Sequence, residues 1–274
     1  MAPPSLDRRL TPFSGRVALD ALRGLVEAEF TAGAAGAVSV PLADLLAQPR
    51  GARDRQVVLG EALVVIDRRD GHAFVQMGKD GYCGWLDEAA IGPAVRPTHR
   101  LAAPATHLYP EPRVQARETC ALHFGSLLRV SETEGTWARV DGGFVPAKHL
   151  RRVDDPADDP VQVAELFLGT PYLWGGNSRD GIDCSGLVQA ALLACAIPCP
   201  GDSDLQARLG AEVDGPLQRG DLVFWKGHVA LVTAPDRIIH ANGHSMDVRH
   251  EGLADAVARI AAQGGGPVTA RRRI

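Results

Sequence analysis

Twice, the chain runs through one succession of short apolar strands and tight turns, and this repeat most limits what it can fold into. The first pass reads Ala62-Leu63-Val64-Val65-Ile66, a turn at Asp70-Gly71, Ala73-Phe74-Val75-Gln76, then a turn at Asp80-Gly81. The second reads Leu127-Leu128-Arg129-Val130, Glu134-Gly135, Trp137-Ala138-Arg139-Val140, Asp141-Gly142-Gly143 and Phe144-Val145-Pro146. Runs of four or five residues cut by acidic-Gly turns pair as hairpins, and two such passes imply two small β-barrels in tandem. Pro93 to Pro112, punctuated by Pro97, Pro104 and Pro110, joins them. Ahead of the first barrel, Leu19, Leu22, Val26 and Phe30 fall at spacings of three, four and four. That spacing predicts one face of a helix.

The texture changes at Asp154-Asp155-Pro156-Ala157-Asp158-Asp159-Pro160, a polar, Pro-punctuated boundary. Beyond it, Val161–Leu168 reads as a short helix, Trp174–Gly181 as a Gly-rich loop, and Ser185–Ala196 as a longer helix stopped by Pro198. Strands follow at Asp221–Trp225, His228–Thr233 and Arg237–Ala241. Helices followed by strands make this part α+β. The expected organisation is residues 1–97 for the N-terminal segment and first barrel, 98–153 for the second barrel, and 154–274 for the α+β domain. A length of 274 residues fits two or three domains.

Charge narrows the function classes. A net charge of −4 lacks the basic excess of a nucleic-acid binder. No stretch approaches the ~18 apolar residues of a membrane span. Met1 to Leu10 lacks a basic segment followed by an apolar one, so the expected location is the cytoplasm. Five scattered cysteines, Cys83, Cys120, Cys184, Cys195 and Cys199, do not form a disulfide framework. Four of them read as buried, unreactive thiols. No cofactor is expected, because no phosphate loop, dinucleotide fingerprint or metal cluster is present. His72, His99, His107, His123, His149, His244 and His250 show no readable arrangement and are expected mostly at the surface.

The fifth cysteine stands where a loop becomes an Ala/Leu-rich helix, in Asp183-Cys184-Ser185-Gly186-Leu187-Val188. Free backbone N–H groups and the helix dipole there favour a thiolate, so a lowered pKa is expected. Trp174-Gly175-Gly176 would leave room for a substrate. Downstream, His228 and His240 fall on two strands of a hairpin around Ala234-Pro235-Asp236. An odd loop centred on Ala234 would set the two imidazoles opposite each other, with Cβ atoms ~5 Å apart, as a base and its orienter. An even loop would send them to opposite faces.

Tyr172-Leu173-Trp174-Gly175-Gly176, Asp183-Cys184-Ser185-Gly186-Leu187-Val188, Gly220-Asp221-Leu222-Val223-Phe224-Trp225, His228-Val229-Ala230 and Ile239-His240-Ala241 together resemble the NlpC-type cell-wall cysteine peptidases. The resemblance covers about residues 160 to 245. It implies a papain-like catalytic domain preceded by two small all-β SH3-like barrels. It makes Cys184 the nucleophile, His228 the general base, His240 the orienting residue, and Tyr172 a pocket residue near the oxyanion. Asp183 and Ser185 flank the nucleophile and either position substrate or cap the helix.

Gly201-Asp202-Ser203-Asp204-Leu205-Gln206 is similar to the segment by which one subgroup clamps a free amino end, which gives Asp202 and Ser203 to an N-terminal L-Ala. An Asp-Ser helix cap is the structural alternative. Gly81-Tyr82-Cys83-Gly84-Trp85 and Gly60-Glu61 resemble that subgroup's first barrel and imply that Glu61 and Tyr82 close the pocket over L-Ala. The implied activity is hydrolysis of the γ-D-glutamyl–L-diamino-acid bond of peptidoglycan stem peptides (L-Ala-γ-D-Glu-L-diamino acid) through a thioester, in wall-peptide recycling. Two alternatives stand beside it: a non-catalytic wall-peptide binding module, and a papain-like acyltransferase or amidase acting on another substrate.

Overall fold

A computed structural model describes residues 6–274, which divide into two compact units with the break between Val153 and Asp154. In the first unit, residues 34–93 form a seven-stranded antiparallel sheet. Its order is Arg53–Val58, Leu42–Leu46, Cys83–Asp87, His72–Met77, Ala62–Arg69, Ala34–Val38 and Ile91–Pro93. One cluster gathers Val38, Leu45, Leu63, Val75, Met77 and Tyr82, and a second gathers Val17, Ile66, Phe74 and Trp85. Gly84 is small because a Cβ there would lie 2.7 Å from Leu45 Cγ.

The second cluster explains a departure from the sequence expectation. Residues 19–30 are not a helix. Val17–Leu19 is a strand, Asp20–Leu22 a single 3-10 turn, and Glu29–Thr31 a strand paired in parallel with the first. Gly24, at φ +80°, breaks any helix there, and Val17 is drawn into the apolar cluster around Phe74 and Trp85.

Residues 99–152 carry three small antiparallel sheets around Leu101, Leu122, Leu128, Val140 and Val145. Leu59, in the turn after the strand Arg53–Val58, packs on this core, and Leu127 N–H donates to Leu59 C=O at 2.8 Å. A shared side chain and a shared hydrogen bond make one unit of the two halves. His123 is buried here, an exception to the surface positions expected of most of these histidines.

The second unit is built on a six-stranded antiparallel sheet. Its order is Ala211–Glu212, Ala270–Arg273, Leu222–Trp225, His228–Ala234, Arg237–Asn242 and Asp247–Gly252. Four helices accompany it: α1 (Pro160–Glu165), α2 (Cys184–Ala194), α3 (Ser203–Gln206) and α4 (Leu253–Ala262). Helix α1 is shorter than the expected Val161–Leu168, and α2 begins one residue earlier than expected. Helix α2 packs on the two histidine-bearing strands. Helix α4, which the motif reading passed over, seats Ala256, Leu253, Val257 and Ile260 against Val223, Trp225, Ala230, Val232 and Ile238. Among the described residues no helix is long and apolar enough to cross a membrane.

The Gly-rich segment before α2 is more ordered than a plain loop, because Asn177–Ser178 pairs with Gly181–Ile182. It lies hard against the helix. A Cβ on Gly186 would come 2.6 Å from Gly176 C=O and closer still to Asn177 Oδ1. Gly186→Ala is therefore expected to lower unfolding free energy by roughly 1–3 kcal/mol in urea titration, the ordinary cost of overpacking. A variant as stable as the parent would show that the loop can retreat without loss.

Candidate active site

Asp183 builds the start of α2. Its Oδ1 accepts from Gly186 N–H at 2.6 Å and from Ser185 Oγ–H at 2.9 Å, while Oδ2 accepts from Gly175 N–H at 2.9 Å. One carboxylate thus caps the helix and ties down the Gly-rich segment. Of the two roles open to Asp183 and Ser185 from sequence, these bonds describe the cap. Cys184, one residue on, is 7 % exposed.

Burial, with the nearby Asp183 charge, pushes the Cys184 thiol up to about 12, although N–H groups of Val229, Ser185 and Cys184 itself pull the other way. This reverses the lowering expected from the helix terminus. Desolvation of a sulfur anion outweighs the partial charge of a short helix.

The hairpin carrying the histidines has a two-residue loop, Pro235-Asp236, with Ala234 opposite Arg237. Such an even loop alone would send His228 and His240 to opposite faces of the sheet. A bulge between Val232 and Ala234 shifts the register by one residue, pairing Val232 with Ile238 and Leu231 with Ile239. Thr233 Oγ–H, donating to Arg237 C=O at 3.2 Å, holds the extra residue in place. The bulge returns both imidazoles to one face. They are diagonal neighbours, not directly opposed as an odd loop centred on Ala234 would make them. His228 Nε2 lies 2.9 Å from His240 Nδ1, with ring centroids 5.1 Å apart.

The proton order in this pair is set from beyond it. His240 Nε2 lies 2.9 Å from Glu251 Oε2, and Arg259 of α4 donates to both oxygens of Glu251, at 2.9 and 2.6 Å. The Arg259 hydrogen bond holds the Glu251 carboxyl below its ordinary range. An ionised carboxylate only accepts, so Nε2 of His240 bears hydrogen and its Nδ1 is the acceptor. His228 then donates from Nε2, which leaves its Nδ1 as the ring's acceptor. Asn242 Nδ2, 3.2 Å from His240 Nε2, packs beside this bond.

Both rings are neutral at rest. Burial above all draws His228 down to about 3 and His240 to about 4; the Arg259 charge adds to the fall, and Glu251 opposes it in both rings. Glu251 and Arg259 were not foreseen from sequence. The amphipathic run Leu253–Ala262 behind an Arg-His-Glu strand was the available signal, but nothing in linear spacing points Arg259 back at Glu251.

Tyr172 is half-buried near the nucleophile. Burial, then the charges of Cys184 and Asp183, raise its phenol above the ordinary range, so it remains a hydrogen-bond donor. Asp202 sits before α3 at φ 60°, ψ 139° and makes no capping bond to it, so the structural alternative read from sequence does not describe it. Ser203 is the first residue of α3. Gln206 fastens that helix to the nucleophile's helix, donating from Nε2 to Ser185 C=O at 2.9 Å and Pro200 C=O at 3.1 Å.

Glu61 and Tyr82 belong to the first unit. Glu61 pairs with Lys79 at 2.6 Å through Oε1, Oε2 has no hydrogen-bond partner among the described residues, and burial raises its pKa. Tyr82 is 2 % exposed, packed in the barrel core with the Arg55 guanidinium 5.5 Å from its ring centroid. Among the described residues no group of three or more His, Cys, Asp or Glu could hold a metal.

The NlpC/P60 family model matches residues 169–258, a span that contains Tyr172, Asp183, Cys184, His228, His240 and Glu251. Residues 169–258 are an NlpC/P60 domain. A second model, the bacterial dipeptidyl-peptidase SH3 domain, matches residues 45–91 of the first barrel. A γ-D-glutamyl-L-lysine dipeptidyl-peptidase of Bacillus cereus is 27 % identical over 222 residues, 69 % of this chain and 67 % of the relative. Its namesake in Bacillus subtilis is 29 % identical over 192 residues, 61 % of this chain and 63 % of the relative. The aligned regions thus span about two thirds of those relatives' lengths. The crystal structure of an NlpC/P60 family protein from Bacillus cereus shares the fold, with a TM-score of 0.75 at 22 % identity over 88 % of this chain and 99 % of that one. The NlpC/P60 domain is a cysteine peptidase, and its buried thiol, imidazole pair and carboxylate are the parts that chemistry requires.

Two measurements test this electrostatic arrangement. Glu251→Gln replaces an obligate acceptor with an amide that can also donate, so His240 loses its fixed tautomer. The expected result is a kcat for peptide hydrolysis lowered by roughly 10²-fold or more, with KM little changed. An unaltered kcat would reduce Glu251 to a packing residue. Alkylation of Cys184 by iodoacetamide should climb about tenfold per pH unit from about pH 7 to about pH 9, as a thiol with a raised pKa ionises. A plateau across neutral pH would instead reveal a preformed thiolate–imidazolium pair.

Proposed function

We propose that this protein is an endopeptidase hydrolysing the γ-D-glutamyl–L-diamino-acid bond of peptidoglycan stem peptides with a free N-terminal L-Ala. The observation that carries the reading is the ordered line from His228 through His240 to Glu251, beside a buried Cys184 thiol that takes a hydrogen bond from the N–H of Val229, the residue after His228. His228 Nδ1 takes the thiol proton as sulfur attacks the γ-carbonyl carbon of D-Glu. A neutral thiol at rest makes this a general-base step, with proton transfer accompanying attack. The carbon–sulfur bond forms, the carbonyl electron pair moves to oxygen, and the Cys184 N–H and Tyr172 hydroxyl donate to it, each such donor supplying ~3 kcal/mol. The His228 imidazolium, stabilised through His240 by Glu251, passes its proton to the nitrogen of the departing diamino acid. Water then cleaves the thioester and releases L-Ala-D-Glu.

Asp202 supports the requirement for a free amino end. Its backbone lies in a region rarely used by residues other than glycine, and such strain is held where surrounding structure fixes a functional side chain. A carboxylate set there suits an ammonium ion, since the hydrogen bond is charge-assisted, and Ser203 adjoins it. The named activity of the Bacillus relatives concerns the same type of bond. Intact wall has that amino end amidated, so the reading makes this an enzyme of released peptides, recycling them in the cytoplasm.

Mass spectrometry of L-Ala-γ-D-Glu-diaminopimelate incubated with the protein tests the proposal, beside an N-acetylated copy and the Cys184→Ala variant. Release of L-Ala-D-Glu from the free peptide alone, abolished in the variant, is the expected outcome. Equal cleavage of the acetylated copy would keep the peptidase and remove the amino-end requirement. Intact peptide in every sample would overturn the reading.

A further inference from the structure

A cleft of about 440 Å³ in the second unit has His228 in its wall together with Trp225, Lys226, His244, Arg259 and Gln263. Neither Cys184 nor Tyr172 lines it. Acyl transfer to sulfur leaves the acyl half of a peptide on Cys184, while the other half departs with a proton from His228. A cleft walled by His228 but not by Cys184 or Tyr172 is therefore placed for the departing half.

Its polar lining has one sign. Lys226 occupies the tip of the two-residue turn between the strands Leu222–Trp225 and His228–Ala234, where Trp225 faces His228 across the ladder. It is exposed, and no carboxylate lies within ion-pair distance of it among the described residues. Arg259 donates to Gln263 Oε1 at 3.2 Å, which turns the Gln263 amide nitrogen toward His244 Nδ1 at 3.0 Å. His244 Nδ1 is thus an acceptor, and its Nε2–H is the donor left to offer. The indole N–H of Trp225 is buried with no acceptor among the described residues. The cleft offers a cation and N–H donors, the complement of a carboxylate.

We propose that this cleft receives the leaving diamino acid, and that Lys226 and His244 select one whose side chain ends in a carboxylate over one ending in ammonium alone. The inference rests on the peptidase reading above. Arg259 then serves two ends, since the side chain that holds Glu251 for catalysis also orients His244 for selection through Gln263.

The test is kcat/KM for L-Ala-γ-D-Glu-diaminopimelate and L-Ala-γ-D-Glu-L-lysine, measured with the full chain and with Lys226→Ala, Lys226→Glu and His244→Ala. The parent is expected to prefer the diaminopimelate peptide, and the preference should shrink with added salt because Lys226 is exposed. Lys226→Ala should lower the ratio of the two constants up to about fivefold, the range of an exposed ion pair. Lys226→Glu, which repels the same carboxylate, should lower it further or reverse it, and His244→Ala should lower it too. Both peptides cleaved with an unchanged ratio in Lys226→Glu would overturn the selection proposal and leave the peptidase intact. Cleavage of neither peptide by the parent would overturn the peptidase reading itself.

Discussion

Two imidazoles 2.9 Å apart, one buried and one half-buried, share a single proton at their contact, and the second unit is organised around that constraint. Burial keeps both rings neutral, so neither ring can settle the order by its own charge. The decision is made at the far end, where Arg259 keeps Glu251 ionised and Glu251 can only accept. From there each donor is forced in turn until His228 presents a lone pair. Helix α4 is therefore more than a cover for the sheet, because it supplies the charge from which the base takes its direction.

The same residues serve fold and chemistry elsewhere in the unit. Asp183 accepts three hydrogen bonds that start α2 and hold the Gly-rich segment, and it is also the charge that helps keep Cys184 protonated. Gly186 admits that segment because it has no side chain to hold it away. Asp221, in the Gly220-Asp221 motif, is buried and accepts two hydrogen bonds from the Arg273 guanidinium, at 2.8 and 2.7 Å. This motif residue ties the strand Ala270–Arg273 to its neighbour Leu222–Trp225, and its bonds are those of a fold residue.

In the first unit the strand pattern was legible because alternation and acidic-Gly turns are local signals. The segment around Leu19–Phe30 misled because its spacing suits a helix, while Gly24 and the apolar cluster around Trp85 make it two short strands and a turn. Periodicity counts apolar residues but says nothing of what they meet. Tyr82, a motif residue, lies in the barrel core beside Leu45 and Met77, a placement that its motif does not state.

The sequence by itself determined the β texture of residues 34–152, the α+β order after Pro160, and the choice of Cys184, His228 and His240 as the candidate residues. Each of these depends on residue type, short-range spacing or motif order along the chain. Tertiary structure decided the rest. Whether His228 and His240 share a face turned on one extra residue, Thr233, in a hairpin whose loop alone gives the opposite parity. Whether Cys184 rests as a thiol turned on how deeply packing buries it against a short helix dipole. Glu251 and Arg259 joined the site because α4 folds back over the sheet, and hydrogen bonds between a strand and a helix are fixed by packing, not by the residues that flank them in sequence.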